Sequence, residues 1–343
     1  MSESDRFVPF RYRITRKSII VSVFREREVD KTVYAIETEK LSKVYKRQFW
    51  ARSVTALESL DLKIAENEIF GFLGKNGAGK TTAIKILCGL LRSSSGIARI
   101  HGVDVRKREA REFLGYLPEN PYFYEYLSPR ETIDFYGRLD GMTAKARRWE
   151  WDRLSEALDL REIGDQRVRG FSKGMRQRLG FAVALVGDPE VLVLDEPMSG
   201  LDPMGRRMIR DLILQARDSG KTVFFSSHVL SDVEQISDRI GMLVDGRLRS
   251  AGSIDELLTR RVNVIEVIAR NIPDFVIQEI KQTAVKSRET EQGIHFSFTD
   301  LEVANDTARK IHAFDGTLVE FTPVKETLED YFIREQETAG IES

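Results

Sequence analysis

The sequence has little cysteine and no long apolar run. Only one of its 343 residues is a cysteine, Cys88, which excludes an internal disulfide and is typical of a reducing cytosol. No apolar stretch approaches the roughly 18 residues that a membrane-spanning helix needs. The best N-terminal candidate, residues 18–24, is short, is followed at once by Arg25, Glu26 and Arg27 and lacks a small-residue cleavage site. We interpret it as neither a span nor a signal peptide.

An excess of charge of one sign is also absent. Lys and Arg together number 53 and Asp and Glu 54, for a net charge of -1. The chain therefore has no strong bulk field for nucleic acid, and we expect no nucleic-acid partner. Its composition, 31% charged and 41% hydrophobic, is that of a globular protein. Its length suits one large domain and one smaller domain.

Residues 1–32 differ from the rest and are interpreted as an N-terminal extension. Basic residues there mix with Phe7, Phe10 and Tyr12. This mixture fits either an arm on a membrane surface or a flexible leader. Helical amphipathicity is not clear, which favours the leader.

Residues 33–252 alternate strand and helix patterns, which predicts an α/β domain. Apolar runs predict buried strands at residues 68–73, 191–194 and 222–225, and helical spacing predicts a helix at residues 80–91. Residues 118–170 are mainly helical in pattern, and Ser128, Pro129 and Glu131 predict a capped helix start within them. The pair Asp245–Gly246 predicts a hairpin turn.

Residues 253–343 form a second predicted domain. A helix capped by Ser253 and Glu256 opens it, and strands and helices then follow in the order β-α-β-β-α-β, which suggests a small α+β, ferredoxin-like domain. Near the end Leu328, Tyr331 and Phe332 share one helical face. That stripe must dock on its own sheet, on the larger domain or on a second protomer. Docking within its own domain is favoured, and a domain that joins two protomers is the alternative.

The segment from Gly74 to Thr81, GKNGAGKT, fits the phosphate-binding loop pattern G-x-x-x-x-G-K-[ST] between a predicted strand and a predicted helix. Glycines let backbone N–H groups close around phosphates, and the following helix N-terminus favours anions. Lys80 is expected to contact the β- and γ-phosphates and the Thr81 hydroxyl to bind Mg²⁺. The expected nucleotide contacts are Gly74, Asn76, Gly77, Ala78, Gly79, Lys80, Thr81 and Thr82. ATP with Mg²⁺ is the predicted ligand.

Two adjacent carboxylates, Asp195 and Glu196, follow the predicted strand at residues 191–194. A carboxylate at the C-terminal end of a strand beside the loop is placed to hold Mg²⁺. Glu196, the next residue, is placed to polarise an attacking water. Two neighbouring acids alone are weak evidence, but together with the phosphate-binding loop they predict hydrolysis.

Residues 33–252 resemble an ABC-type ATPase, with a counterpart of each motif in order. The family signature, typically LSGGQ, appears at residues 171–175 as FSKGM. Ser199–Gly200–Leu201–Asp202 is similar to the D-loop, and His228 to the switch histidine. Tyr45 is similar to the aromatic that stacks on adenine, with Trp50 as a rival.

The resemblance implies a fold and a mode of action. The expected fold is an α/β P-loop NTPase of ABC type with a helical subdomain at about 118–170. Two chains would form a homodimer around sandwiched ATP, in which Ser172, Gly174 and Asp202 face the partner's nucleotide. His228, which with Lys80 and Glu196 makes up the expected catalytic set, would contact the γ-phosphate and sense its loss. The expected partner is a separate integral membrane permease, which places the chain at the cytoplasmic face of the cell membrane.

The sequence departs from the family pattern at two motifs. Lys173 replaces the first signature glycine and Met175 the final glutamine, while Glu119 stands where the family has the Q-loop glutamine. A carboxylate at this position can still bind Mg²⁺, so Glu119 joins Thr81 and Asp195 as an expected metal ligand, although it adds negative charge beside phosphates. These variants resemble the branch that serves drug, ion and polysaccharide exporters.

Two other function classes remain as alternatives. A soluble ABC protein acting on ribosomes or DNA usually carries two cassettes or a long coiled coil, and this sequence has one cassette and no heptads. A regulatory module that binds ATP without turnover is the second alternative, and Glu196 argues against it.

Overall fold

The computed structural model describes residues 34–45, 53–259, 264–290, 292–324 and 328–341. The N-terminal extension at residues 1–32 and Trp50 lie outside the described residues. The chain divides into two compact units between Ser250 and Ala251.

A six-stranded sheet forms the centre of the first unit. Its strand order is β10-β9-β3-β8-β7-β6, and β3 pairs in parallel with β8 and β9 while β7 pairs in parallel with β6 and β8. The strands are β3 (Ile69–Leu73), β6 (Leu114–Leu117), β7 (Val191–Leu194), β8 (Thr222–Ser227), β9 (Arg239–Val244) and β10 (Arg247–Gly252). All residues of β3, β7 and β8 are buried, which is why they read as continuous apolar runs.

A second sheet in this unit is antiparallel and was not anticipated by the sequence patterns. Its order is β2-β1-β4-β5, with β1 (Ile36–Tyr45), β2 (Val54–Ile64), β4 (Ser95–Ile100) and β5 (Val103–Asp104). The register of β1 against β2 shifts three times, and such irregularity interrupts the period-2 alternation that marks a strand. Buried side chains of both sheets and of the first helix, including Leu41, Leu57, Phe72 and Ile84, form one core.

Within the described residues, six helices and two short 3₁₀ segments accompany these sheets. The helices are α1 (Lys80–Leu87), α2 (Pro129–Leu139), α3 (Ala144–Ala157), α4 (Lys173–Ala184), α5 (Pro203–Asp218) and α6 (Leu230–Ile236), and the 3₁₀ segments are Arg108–Phe113 and Val168–Gly170. Helix α1 is shorter than expected because Gly89, with φ +68°, breaks the chain direction just after it. The predicted capping box of α2 is confirmed, since Ser128 accepts from the Glu131 N–H and Glu131 accepts from the Ser128 N–H.

The predicted turn between β9 and β10 is confirmed as well. Asp245 and Gly246 have φ values of +49° and +80°, the positive values of both central residues that a two-residue hairpin turn favours. The Gly246 N–H donates to the Ala78 carbonyl at 3.0 Å. This turn therefore also supports the phosphate-binding loop.

The second unit has a four-stranded antiparallel sheet with the order β12-β13-β11-β14. The elements are α7 (Ile254–Thr259), β11 (Val264–Arg270), α8 (Asp274–Thr283), β12 (Lys286–Thr290), β13 (Gly293–Phe298), α9 (Leu301–Ala313), β14 (Thr317–Val324) and α10 (Leu328–Ile341). Helices α8 and α9 contribute Val276, Ile280, Ala304 and Ile311 to a core with Phe296 and Phe298 of the sheet.

Helix α9 begins at Leu301, because the Asp300 carboxylate accepts hydrogen bonds from the N–H groups of Glu302 and Val303. The C-terminal stripe is buried, with Leu328 fully enclosed, and α10 packs against α7 of the same unit.

Candidate functional site

The loop between β3 and α1 is built around glycine. Gly77 and Gly79 have φ values of +86° and +109°, which residues other than glycine rarely adopt. A Cβ on Gly79 would lie 2.2 Å from the Ala56 carbonyl oxygen, and one on Gly74 2.6 Å from the Leu243 carbonyl oxygen. The loop thus fits against β2 and β9 only without side chains, and its N–H groups precede the positive end of the α1 dipole.

Lys80 turns back into this loop. Its Nζ donates to the Gly74 and Lys75 carbonyls at 2.5 and 3.2 Å. It also lies 3.1 Å from the Glu196 carboxylate, and both side chains are buried. One sequence motif predicted this ammonium group and the other predicted this carboxylate. The structure brings the two groups into contact.

Asp195 lies at the end of β7 and is held by hydroxyl groups. Its Oδ1 accepts from Thr81 at 3.2 Å and from Ser226 at 2.8 Å. Burial raises the pKa of Asp195, the Ser226 and Thr81 hydrogen bonds lower it, and the negative charges of Glu196 and Glu119 raise it again. The net rise indicates a carboxylate that gains from a nearby cation.

Glu196 joins the acid-rich end of β7 to the end of β8. Its N–H donates to Ser226 Oγ at 2.9 Å, and its Oε2 lies 2.7 Å from His228 Nδ1. Its φ of +47° is unusual for a residue with a side chain, and such strained backbone is concentrated at functional sites. The carboxylate is thereby fixed between the Lys80 ammonium on one oxygen and the His228 imidazole on the other.

The donor set fits Mg²⁺. Oxygen ligands are what this ion prefers, and at phosphate sites it takes one or two carboxylates and keeps several waters. The Thr81 hydroxyl and the Asp195 carboxylate are in direct contact, and Glu119 is close enough to raise the Asp195 pKa. Within the described ranges, no cluster of three or more His, Cys, Asp or Glu side chains that could hold a metal ion occurs.

These residues surround a cleft of about 210 Å³. Nine of the predicted site residues line it, namely Asn76, Gly77, Gly79, Lys80, Thr81, Thr82, Glu119, Glu196 and His228. A larger cavity of about 540 Å³ is lined by residues of α2 and α3 and their flanks and contains none of the predicted site residues.

Seven predicted site residues are not among those that line this cleft in the described part of the chain, namely Asp195 and the expected nucleotide contacts Tyr45, Gly74, Ala78, Ser172, Gly174 and Asp202. Tyr45 ends β1 with 40% of its surface exposed, and Lys43 Nζ lies 5.3 Å from its ring centre. Ser172 caps α4 by accepting from the Met175 N–H, and Asp202 caps α5 by accepting from the Gly205 N–H. A Cβ on Gly174 would touch Leu201, so the signature segment packs beside the D-loop segment. Gly74 and Ala78 contact the site through their carbonyl groups, which accept from Lys80 Nζ and from the Gly246 N–H.

Sequence patterns missed part of the site. Ala56, Lys75 and Ser199 line the cleft, and Ser226 is the link between Asp195 and the Glu196 backbone. Ser226 could have been anticipated, because a fully buried polar residue at the end of an apolar strand needs a hydrogen-bond partner.

No helix of the described residues is long and apolar enough to cross a membrane.

Comparison with known proteins agrees with this geometry. The family described as ABC transporter matches residues 57–199. An uncharacterised ABC transporter ATP-binding protein of Synechocystis sp. is 38% identical over 309 residues, which cover 89% of this chain and 86% of the relative. The bacitracin transport ATP-binding protein BcrA of Bacillus licheniformis is 32% identical over 316 residues, which cover 87% of this chain and 96% of the relative. Matches of this length extend beyond Gly252 into the second unit.

A solved structure with a similar fold is a dimeric ATP-binding cassette in a post-hydrolysis state bound to ADP and phosphate. It superposes with a TM-score of 0.59 at 22% identity, covering 64% of this chain and 98% of that chain. The matched fold corresponds in extent to the first unit.

Proposed function

This chain belongs to the ABC transporter ATP-binding proteins, and we propose that two copies of it close around ATP and Mg²⁺ and reopen after hydrolysis. It is the ATP-binding and ATP-hydrolysing subunit of a transporter whose membrane-spanning part is a separate component. The observation that carries the proposed mechanism is the contact set of Glu196, which joins the phosphate-binding lysine to the switch histidine.

The proposed roles follow from the contacts in the cleft. Lys80 and the loop N–H groups bind the β- and γ-phosphates, and the lysine exchanges its Glu196 contact for phosphate oxygen. Thr81 and Asp195, with Glu119 nearby, would hold Mg²⁺, which when bound would supply positive charge to the phosphates. Glu196 then accepts a proton from the attacking water, and His228 contacts the γ-phosphate and keeps the Glu196 carboxylate in place.

Pairing of two chains is supported by the residues outside the cleft. Ser172, Gly174 and Asp202 belong to motifs that contact nucleotide in the resembled family, yet they do not line the cleft of their own chain within the described residues. The N-terminus of α4, which Ser172 caps, suits a phosphate brought by another molecule. The dimeric form of the solved cassette supports the same arrangement.

The adenine position and the second unit complete the proposal. Tyr45 is exposed at the end of β1, which leaves a ring face for adenine stacking, worth about 1–3 kcal/mol by analogy with nucleic-acid bases. The order β-α-β-β-α-β and the strand order β12-β13-β11-β14 support a ferredoxin-like fold for the second unit. The residue ranges 33–252 and 253–343 are the proposed functional domains.

Export is the proposed direction, and the cytoplasmic face of the cell membrane the proposed place. Support comes from two variant motifs, SKGM in the signature at residues 172–175 and YLPEN in the Q-loop at residues 116–120. The relative that is named for bacitracin transport supports the same proposal. A neighbouring reading frame with several apolar spans of about 20 residues each would identify the permease.

Replacing Glu196 with Gln tests the mechanism. Gln keeps a hydrogen-bonding group for His228 but cannot take a proton, so we expect ATP binding to remain and steady-state phosphate release to fall at least 100-fold, the lower range for loss of a general base. Sedimentation should show an ATP-dependent dimer, because the sandwich forms and is not hydrolysed. Glu190→Gln, a half-exposed carboxylate just before the same strand, is the matched control. Near-normal turnover by Glu196→Gln would remove this residue from the mechanism.

A further inference from the structure

Two helices leave the site at neighbouring points. Helix α5 begins directly after Asp202, at the end of the D-loop segment, and α6 begins two residues after His228. The two helices pack against each other. Their contact is therefore able to fix the D-loop segment and His228 relative to each other.

A buried ionic cluster lies at this contact. Asp232, in the first turn of α6, has only 3% of its side chain exposed. Its carboxylate lies 3.4 Å from Arg206 Nη2 and 3.9 Å from Arg210 Nη1. The two arginines are one turn apart on α5 and so project from the same face.

This cluster is a poor source of stability. Among the described residues neither Asp232 Oδ1 nor Arg206 Nε has a hydrogen-bond partner. Burial raises the pKa of Asp232, which Arg206, Arg210 and His228 oppose. Buried ion pairs with incomplete hydrogen bonding recover little of their desolvation cost, and apolar residues often replace them without loss.

We infer that Asp232 is a positioning residue for hydrolysis, which clamps α6 to α5 through Arg206 and Arg210 and thereby holds His228 against Glu196. Four positions separate His228 from Asp232, so the first turn of α6 carries the restraint from the clamp to the imidazole. The His228 side chain is 38% exposed and has room to turn away from Glu196 when α6 shifts. Loss of the clamp then misplaces the imidazole without touching the phosphate-binding loop.

The inference rests on the proposed roles of Glu196 and His228 and is tested on the full chain. Asp232→Asn removes the carboxylate charge and Asp232→Glu keeps it. Arg206→Gln removes the nearer of the two arginine partners. Glu234→Gln, an exposed carboxylate on the same helix, is the matched control. Steady-state kcat and KM for ATP are measured with the melting temperature of each variant.

We expect kcat of Asp232→Asn to fall about tenfold, or about 1.4 kcal/mol of activation free energy, with KM changed less than threefold. Asp232→Glu should recover most of the loss. Arg206→Gln should lower kcat in the same direction, and the double variant should lose no more than Asp232→Asn alone, since that substitution already removes the ion pair with Arg206. Arg206→Gln carries the test alone if Asp232→Asn does not fold.

An unchanged kcat in a folded Asp232→Asn or Arg206→Gln variant would overturn the inference. Parallel losses of kcat and melting temperature, without recovery by Asp232→Glu, would also overturn it in favour of a structural role. Failure of the underlying mechanism is distinguishable, because it appears as continued turnover by Glu196→Gln, whatever Asp232 does.

Discussion

At the scale of the single residue, the site depends on how Asp195 and Glu196 share one strand end. Asp195 directly follows β7, does not have a positive φ, and is held by the two hydroxyls of Thr81 and Ser226. Glu196 reverses into the left-handed region, with its N–H held by the same Ser226. The two adjacent acids therefore face different neighbours, which fits the roles proposed for them, Mg²⁺ binding for Asp195 and activation of a water for Glu196. In that proposal the roles differ because only Glu196 has a positive φ.

Replacing Glu119 with Gln restores the commoner residue of the family. Glu119 lines the cleft and its charge raises the Asp195 pKa, so the change removes repulsion between a carboxylate and the phosphates. We expect MgATP to bind as tightly or more tightly and kcat to change less than about threefold, or about 0.7 kcal/mol. Titration with a fluorescent ATP analogue and steady-state kinetics check both. A loss of kcat as deep as that of Glu196→Gln would instead make Glu119 a required second carboxylate.

Replacing Asp195 with Asn tests the cost of its burial. The folded-state pKa of Asp195 lies above its unfolded value, so the folded protein binds this proton more tightly than the unfolded chain does. The ionised carboxylate therefore opposes folding at neutral pH, and this opposition declines as pH falls through the folded-state pKa. Asn keeps an oxygen for Thr81 and Ser226. We expect the melting temperature without nucleotide to rise at pH 7.5 by about 2–4 °C, equivalent to about 1 kcal/mol.

The gain in melting temperature of Asp195→Asn should disappear at acidic pH, and the variant should be inactive at every pH. The difference in melting temperature should shrink as pH falls from 7.5 toward the ordinary pKa of an aspartate carboxyl, because the folded-state pKa of Asp195 lies above it, while Mg²⁺-dependent ATP hydrolysis is lost at all pH values. Thr222→Ser, at the far end of the neighbouring strand β8, is a matched polar control. A lower melting temperature at pH 7.5 would mean that the hydrogen bonds to Thr81 and Ser226 require a charged acceptor.

At the scale of the element, the phosphate-binding loop requires its two glycines with positive φ for different reasons, one conformational and one steric. Gly77 and Gly79 both have positive φ, but a Cβ on Gly77 has open space while one on Gly79 meets the Ala56 backbone at 2.2 Å. Gly77→Ala should cost about 1–2 kcal/mol of unfolding free energy, the usual penalty for this conformation. Gly79→Ala should cost more and abolish ATP binding, because β2 cannot yield. Chemical denaturation and nucleotide titration of the pair check this, and equal effects would contradict it.

Elements were predictable where one physical signal dominated. Strands β3, β7 and β8 are buried on all sides, so their apolar runs predicted them to within two residues. The cap of α2 followed from Ser128, Pro129 and Glu131 alone. The antiparallel sheet of β1, β2, β4 and β5 was missed, because bulges and half-exposed faces break its alternation.

The candidate site was predictable in its parts but not in its connections. The phosphate-binding loop and the resembled motifs identified nine residues that line the cleft. The contacts of Glu196 with Lys80 and His228 join residues 116 and 32 positions apart, and nothing local in the sequence gives such distances. The clamp at Asp232 was missed for the same reason, since Arg206 precedes it by a helix and a strand.

At the scale of the whole molecule, the chemistry belongs to the first unit. Every predicted phosphate-handling or metal-binding residue precedes Ser250, where the two compact units divide. The stripe of Leu328, Tyr331 and Phe332 is buried, and α10 packs against α7 of its own unit. That helix is therefore engaged within the second unit, which weakens its candidacy as the surface that joins two protomers.

Truncation after Gly252, the last residue of β10, separates the two units two residues beyond their boundary at Ser250. This cut keeps β10 whole and removes α7 together with its partner α10, whereas a cut after Arg260 would leave the buried Leu257 of α7 without that partner. We expect the shorter chain to bind ATP with unchanged affinity, because the cleft lies wholly in the first unit. With Glu196→Gln it should also form the ATP-dependent dimer, since Ser172, Gly174 and Asp202 are retained.

The chain cut after Arg260 should bind ATP equally well but aggregate more readily, through the apolar face of α7. Sedimentation of the full-length and both truncated proteins, with and without ATP, measures each outcome. A dimer that persists without nucleotide in the full-length protein but disappears on truncation would show instead that the second unit restrains the separation of the protomers.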